Sequence, residues 1–376
     1  MSMNGPVVIA VDSFKGSIGA AAAAVALADG WRRVDPGRQV VLAPMADGGE
    51  GTLDAFAAAV PGAERVPVAV TGPEGAPISA SWLRLPATAE APGGTGVVEL
   101  AATAGIELFG SPPMLRPWDA GTRGFGEAIA AALEKGVSRL VLGIGSSAST
   151  DGGAGVLTAL GARLTDDRGR PIADGARGLQ TLAAADLSDL APLPPGGVTV
   201  LTDVTNPLLG ERGAAAVFGP QKGAGSGDIP ALDAGLARFC ALVPGDPEAP
   251  GAGAAGGTGY GLLAWGARLV PGAAAVAELI GLRTRLAEAR LVVTGEGSFD
   301  GQSDQGKVTG FIRDLAAHSG ATAALVAGRV APDAPVDGFA RVVSLTELAG
   351  SAETAMADPL RWLRRAGERL ARGDTG

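Results

Sequence analysis

Six short segments of this chain set acidic side chains in glycine-rich or turn-forming surroundings. They are Asp12-Ser13-Phe14-Lys15-Gly16, Asp47-Gly48-Gly49-Glu50-Gly51, Ser149-Thr150-Asp151-Gly152-Gly153, Thr202-Asp203-Val204-Thr205-Asn206, Gly295-Glu296-Gly297 and Asp300-Gly301-Gln302. Glycine lets backbone N–H groups approach an anion closely, and a neighbouring carboxylate can hold a divalent cation or take a proton. Repetition of that pairing points to phosphate chemistry.

The cations sharpen it. The chain carries four lysines among 30 basic residues, and each touches a glycine: Lys15-Gly16, Lys135-Gly136, Lys222-Gly223 and Gly306-Lys307. A lysine ammonium is a compact point charge suited to phosphate oxygens. Lys135 reads as a helix C-terminus capped by Gly136, whereas Lys15, Lys222 and Lys307 read as ligand contacts. Cys240 and His318 are single copies. The cysteine lies in an apolar stretch and reads as core. The histidine precedes Ser319-Gly320 and reads as a helix-end residue. A thiolate cluster, a Ser-His-Asp relay and a histidine metal site are therefore not expected. The chemistry is left to carboxylates, a few cations, backbone dipoles and a recruited metal.

These groups need a scaffold, and 376 residues is more than one core usually supports. Apolar residues make up 47% and charged residues 18%, which suits globular cores and not disorder. The net charge of −9 argues against nucleic acid or an anionic membrane as partner. No charged-then-apolar leader opens the sequence and no apolar run of about 18 residues occurs, so the protein reads as cytoplasmic. Short β-branched runs alternate with alanine-rich helical stretches, the pattern of a parallel α/β sheet.

Strands are expected at Val7–Val11, Val40–Ala43, Ala289–Val293, Ala323–Ala327 and Arg341–Ser344, with helices at Ser17–Val34, Thr52–Val60 and Glu353–Ala371. The last helix should place Met356, Leu360, Leu363 and Leu370 on one side. Between them, Val66–Val70, Ile78–Leu85, Val97–Leu100, Leu140–Ile144 and Val198–Leu201 suggest a second set of strands. The reading is a two-domain α/β protein. Residues 1–65 and 285–376 form a parallel-sheet domain, residues 66–284 form an inserted α/β domain, and the active site is expected in the cleft between them. Each acidic loop then follows a strand, at the carboxyl edge where open α/β sheets bind ligands.

Three glycine-rich segments need weighing. Gly301 to Val308 nearly spells a P-loop, but Val308 stands where a Mg²⁺-binding hydroxyl belongs, so it is rejected. Gly251 to Gly256 fits a dinucleotide fingerprint in letters but follows no strand, and reads as a turn before a helix. Ser146 to Gly155 joins a strand to a helix and reads as an anion cradle at a helix N-terminus, with N-capping by Thr150 or Asp151 the simpler alternative.

Asp12-Ser13-Phe14-Lys15-Gly16, Met45 to Thr52, Asp203 to Gly210, Val217 to Gly223, Pro250 to Gly257 and Thr294 to Gly297 together, in this order, resemble the type 1 glycerate kinase family over almost the whole chain. The resemblance implies ATP-dependent phosphorylation of D-glycerate, usually at the 2-hydroxyl, by a two-domain α/β enzyme using Mg²⁺. On this view Asp203 orients or deprotonates the substrate hydroxyl, with Asp47 as second choice. Lys15 and Lys222 meet the transferred phosphoryl group or the glycerate charge. Asp12, Ser13, Glu50, Asn206 and Glu296 contact substrate. Ser146, Ser147, Ser149, Thr150, Gly152, Gly153, Gly256, Gly257 and Lys307 serve the nucleotide, and Asp47, Glu50 and Asp300 are the metal candidates.

The chain departs from the family pattern at four places. Ser146 replaces a glycine and Thr150 an asparagine, Ser298 stands where arginine is common, and Thr309 stands where proline often does. A kinase of another small hydroxy acid, or a non-catalytic binder of organic anions, are the alternatives on the same scaffold.

Overall fold

The computed structural model of the chain describes residues 5–110, 112–301 and 308–373. Among them the strands run β1 (Val7–Ile9), β2 (Val40–Leu42), β3 (Glu64–Thr71), β4 (Pro77–Leu85), β5 (Thr95–Glu99), β6 (Arg139–Gly143), β7 (Arg163–Thr165), β8 (Ala184–Asp186), β9 (Val198–Leu201), β10 (Arg268–Val270), β11 (Leu291–Phe299), β12 (Thr322–Val330) and β13 (Arg341–Ser344). The chain is α/β, as its alternation of β-branched and alanine-rich stretches predicts. No helix among the described residues is long and apolar enough to cross a membrane.

Contacts divide the chain into two compact units. Unit 1 comprises Met1–Asp47, Asp54–Pro61 and Pro271–Gly376. Its sheet has the order β13-β12-β11-β1-β2, with every pair parallel. Val7, Ile9, Val293, Val326 and Val343 are buried on it against Leu27, Leu363 and Leu370. The last three come from helices Ala20–Val34 and Pro359–Arg372, which cross closely because Gly30 and Gly367 lie at the crossing. A Cβ on Gly30 would stand 1.9 Å from the carbonyl oxygen of Arg364.

Unit 2 comprises Gly48–Leu53 and Gly62–Val270. Its main sheet runs β10-β9-β6-β5-β4-β3, parallel from β10 to β5 and antiparallel through the β4 and β3 hairpin. The chain changes unit after Asp47, Leu53, Pro61 and Val270, whereas the sequence suggested junctions near 66 and 284. Two anchors place the segment after 270 in unit 1. Gly272 packs on the Asp47 backbone, with an added Cβ 2.1 Å from the Asp47 oxygen, and Arg285 donates from both terminal nitrogens to the carbonyls of Leu42 and Ala59.

Two local expectations need correction. β11 does not end at Val293 but continues to Phe299, so Gly295-Glu296-Gly297 is strand and not loop. Gly295 marks close approach to β12, since a Cβ there would meet the Val326 oxygen at 2.0 Å. The C-terminal helix is two helices, Ala352–Ala357 and Pro359–Arg372, broken at Asp358, whose carboxylate accepts the Arg361 amide ahead of Pro359. Leu363 and Leu370 are buried as expected, but Met356 and Leu360 are exposed because the break changes the face.

Candidate active site

In unit 1 the chain leaves β1 and reaches Asp12 three residues later. The Asp12 amide donates to the Gly295 carbonyl of β11, and the Asp12 carboxylate accepts the Ser13 N–H at 2.7 Å. A turn closed by a bridge between Phe14 and Ile18 then presents Lys15, which is exposed. Asp47 follows β2, and Glu296 and Asp300 sit at the far end of β11. These residues are brought together. Asp12, Ser13, Lys15, Asp47, Glu296 and Asp300 line one cavity of about 320 Å³ at the carboxyl edge of the parallel sheet, with Gly297, Ser298 and Val308 completing its wall. Glu296 also accepts a 2.6 Å bond from the Thr309 hydroxyl, so the threonine that stands where the family often has proline holds this carboxylate.

Among the described residues this cavity is lined by four carboxylates and one lysine. The imbalance shows in Asp12. Burial pushes its carboxyl up to about 7, the charges of Asp47 and Glu296 add to the rise, and the Ser13 amide and Lys15 oppose it. The folded state therefore holds this proton more tightly than an unfolded chain with the ordinary value of 3.8. The stability it contributes is present below about pH 4 and is lost as pH rises through 7. In EDTA, the melting temperature of the wild type is expected to fall between pH 5 and pH 8 relative to Asp12→Asn. Parallel pH profiles for the two proteins would show that Asp12 titrates normally.

Unit 2 holds a second constellation, on the loop after β6. Lys222 closes a short 3₁₀ turn (Pro220–Lys222), is 2% exposed, and donates to the Ser147 hydroxyl at 2.7 Å and the Ser149 carbonyl at 2.5 Å. Burial pulls its ammonium down to about 7, and the charge of Asp151 works against that. The hydroxyls of Ser149 and Thr150 are buried without a hydrogen-bond partner. Asp151 is fully buried and accepts from the Thr122 amide and hydroxyl and from the amides of Gly153 and Gly155. Burial raises its carboxyl, and those four donors oppose the rise.

The cradle expected at the N-terminus of helix Ala154–Ala159 is thus filled from within. Asp151 takes two of its amides and the Thr122 hydroxyl takes that of Val156. What remains for a ligand is Lys222, beside this loop, and the loop's two unpartnered hydroxyls. Gly152, Gly153, Gly256 and Gly257 are accounted for by packing: a Cβ on Gly256 would stand 2.0 Å from the Ser149 oxygen, and the Gly152 amide donates to the Gly256 carbonyl. Ser146 adopts φ 58°, the left-handed region where the family pattern has glycine, at a cost of roughly 1 kcal/mol.

Of the other expected residues, Glu50 and Asp203 are exposed, and the Asn206 amide donates to the Arg212 carbonyl at 2.9 Å, a loop-holding contact. Among the described residues no group of three His, Cys, Asp or Glu side chains could hold a metal ion, so Asp47, Glu50 and Asp300 are not a ready-made ligand set. Lys307 lies outside the described residues. Cys240 and His318 fit their structural readings: the thiol donates to the Ala237 carbonyl, and the imidazole lies 2.6 Å from the Asp314 carbonyl in the last turn of its helix.

Two buried residues that hold these loops were not singled out from sequence. Glu99 is 5% exposed and accepts the amides of Gly51 and Leu53, fixing the glycine-rich loop after Asp47. Thr122 orients Asp151. A charge ending the apolar run Val97-Val98 was the available signal for the first, since a buried carboxylate needs partners.

A model of the glycerate kinase family matches residues 7–373. Glycerate 2-kinase of Escherichia coli (strain K12) is 44% identical over 310 residues, covering 80% of this chain and 79% of that protein. The glycerate kinase of Halalkalibacterium halodurans is 39% identical over 334 residues, covering 86% of this chain and 85% of its own length. A solved chain assigned as glycerate kinase 2 from Salmonella typhimurium LT2 superposes with a TM-score of 0.82 at 37% identity, over 98% of this chain and 97% of its own.

Proposed function

Because this chain belongs to the glycerate kinase family, we propose that it transfers the γ-phosphoryl group of ATP to the 2-hydroxyl of D-glycerate, releasing ADP and 2-phosphoglycerate. The observation that carries this reading is the family match over residues 7–373, which includes both units. Phosphoryl transfer asks for positioning and charge neutralisation more than covalent chemistry, and the two constellations supply those.

In this proposal Lys15 offsets charge developing on the transferred group, at the rim of the acid-lined cavity. Lys222 and the hydroxyls of Ser149 and Thr150 serve a phosphate of the nucleotide. Asp203 accepts the proton of the 2-hydroxyl. Mg²⁺ fits the carboxylate oxygens of the cavity, where Asp47 or Asp300 would hold it. A magnesium ion needs only one or two carboxylates when phosphates and water complete its shell, so the lack of a three-residue ligand group among the described residues does not conflict with it. When bound, the ion neutralises phosphate charge.

Purified protein with ATP, Mg²⁺ and a panel of hydroxy acids tests the reading. D-glycerate should give ADP and a product whose phosphorus NMR spectrum is that of 2-phosphoglycerate. A 3-phosphoglycerate spectrum overturns the assigned hydroxyl, and preference for another acid overturns the substrate. Excess EDTA should abolish turnover and Mn²⁺ or Mg²⁺ restore it; full turnover in EDTA removes the metal from the mechanism.

A further inference from the structure

The opposite edge of the unit 1 sheet carries a second cavity, of about 410 Å³. It opens where the strands begin, lined by the first residues of β1, β11, β12 and β13. Its chemistry is the reverse of the acid-lined cavity. Arg38, Arg290 and Arg341 face it, with Asp35 as the one carboxylate among its described lining residues. In a chain of net charge −9, that is a local excess of positive charge. Asp35 is engaged by Arg38 (Nε to Oδ2, 3.2 Å). Two of the guanidinium groups are also anchored by backbone: Arg38 donates to the Gly5 carbonyl and Arg341 to that of Leu370. Such anchoring fixes side chains that would otherwise lose entropy on binding.

Trp31 lines the same cavity. It is 6% exposed, and its indole N–H is buried with no acceptor. An orphaned buried donor is costly, and a ligand oxygen would satisfy it. Opposing an anion are the negative ends of two helices, Ala20–Val34, which terminates at Asp35, and Pro359–Arg372, whose Ala371 also lines the cavity. Each dipole amounts to about half a charge, and three guanidinium groups outweigh both together with Asp35.

We propose that this cavity binds a small, multiply charged anion, a phosphate ester or a polycarboxylate, with Arg290 and Arg341 meeting its charge and the Trp31 indole donating to it. It lies at the sheet edge opposite Asp12 and Asp47, so its ligand is an effector and not the reacting substrate.

The test uses the full-length ¹⁵N-labelled chain and reads the indole ¹⁵N–¹H correlation of Trp31, assigned by its loss in Trp31→Phe. Inorganic pyrophosphate and citrate are titrated separately. A saturable shift of the Trp31 signal with either is expected, and which anion acts distinguishes phosphate from carboxylate recognition. Arg341→Gln should weaken that response by about tenfold or more, the weight of a charged hydrogen bond. Arg290→Gln carries the same expectation should the Arg341 variant fold poorly. A Trp31 signal unmoved by both anions, or moved equally in wild type and the folded arginine variants, overturns the proposal.

Discussion

Lys15→Ala is expected to keep the wild-type melting temperature and to lose roughly 10²–10³ in kcat, the scale of removing a preorganised donor from a developing charge. The residue is exposed on the turn after β1, so folding draws little from it. It is also the one cation among the described residues lining a cavity with Asp12, Asp47, Glu296 and Asp300. Anionic phosphate could not enter such a negative wall unaided. The competing view makes Lys15 a surface residue ahead of helix Ala20–Val34, where a cation is mildly unfavourable and its loss harmless. Lys15→Arg separates the two further: a planar guanidinium does not replace a compact ammonium, so little activity should return. Near-normal kcat and KM in Lys15→Ala would make it a turn residue and remove it from the site.

Lys222→Met should cost a comparable roughly 10²–10³ in kcat/KM, because its charge acts where water is excluded. The signature is in the pH profile. The ammonium is drawn to about 7 by burial, so in the wild type kcat/KM should fall above pH 7 as the charge is lost. That limb should be absent in Lys222→Met. Stability moves the other way: the unfolded lysine, at its ordinary 10.5, binds its proton more tightly than the folded one, so the wild type gains stability as pH rises from 7 toward 10.5. The Met variant lacks that gain and also leaves the Ser149 carbonyl without its donor. A wild-type kcat/KM in Lys222→Met confines the residue to holding the loop after β6.

Much of this was legible because the signals were local. Strands β1, β2, β9 and β13 follow β-branched runs, and Asp12, Lys15 and Asp47 stand just past strand ends, where a parallel sheet gathers them at one edge. Glycine was harder to read, since one residue type serves turns and close approaches alike. Gly295 and Gly297 suggested a loop, whereas β12 runs so near Gly295 that no side chain fits there, and Gly297 faces the Phe14–Lys15 backbone. Asp151 shows the same difficulty for acids: its partner Thr122 is distant in sequence, so whether it caps a helix or meets a ligand depended on contacts that spacing does not encode.

β1 is an interior strand of its sheet, with the edge strand β2 on one side and β11 on the other. On a growing chain the first neighbour is synthesised at once, and the second only after all of unit 2. Until Leu291 arrives to pair with Val7, one edge of β1 has no strand to bond. Unit 2 draws on residues up to Val270 alone, and can close while the polypeptide is still being made. The unit that carries Asp12, Lys15 and Asp47 is therefore the later to be completed, and its exposed early strands are the segments a nascent-chain chaperone would meet.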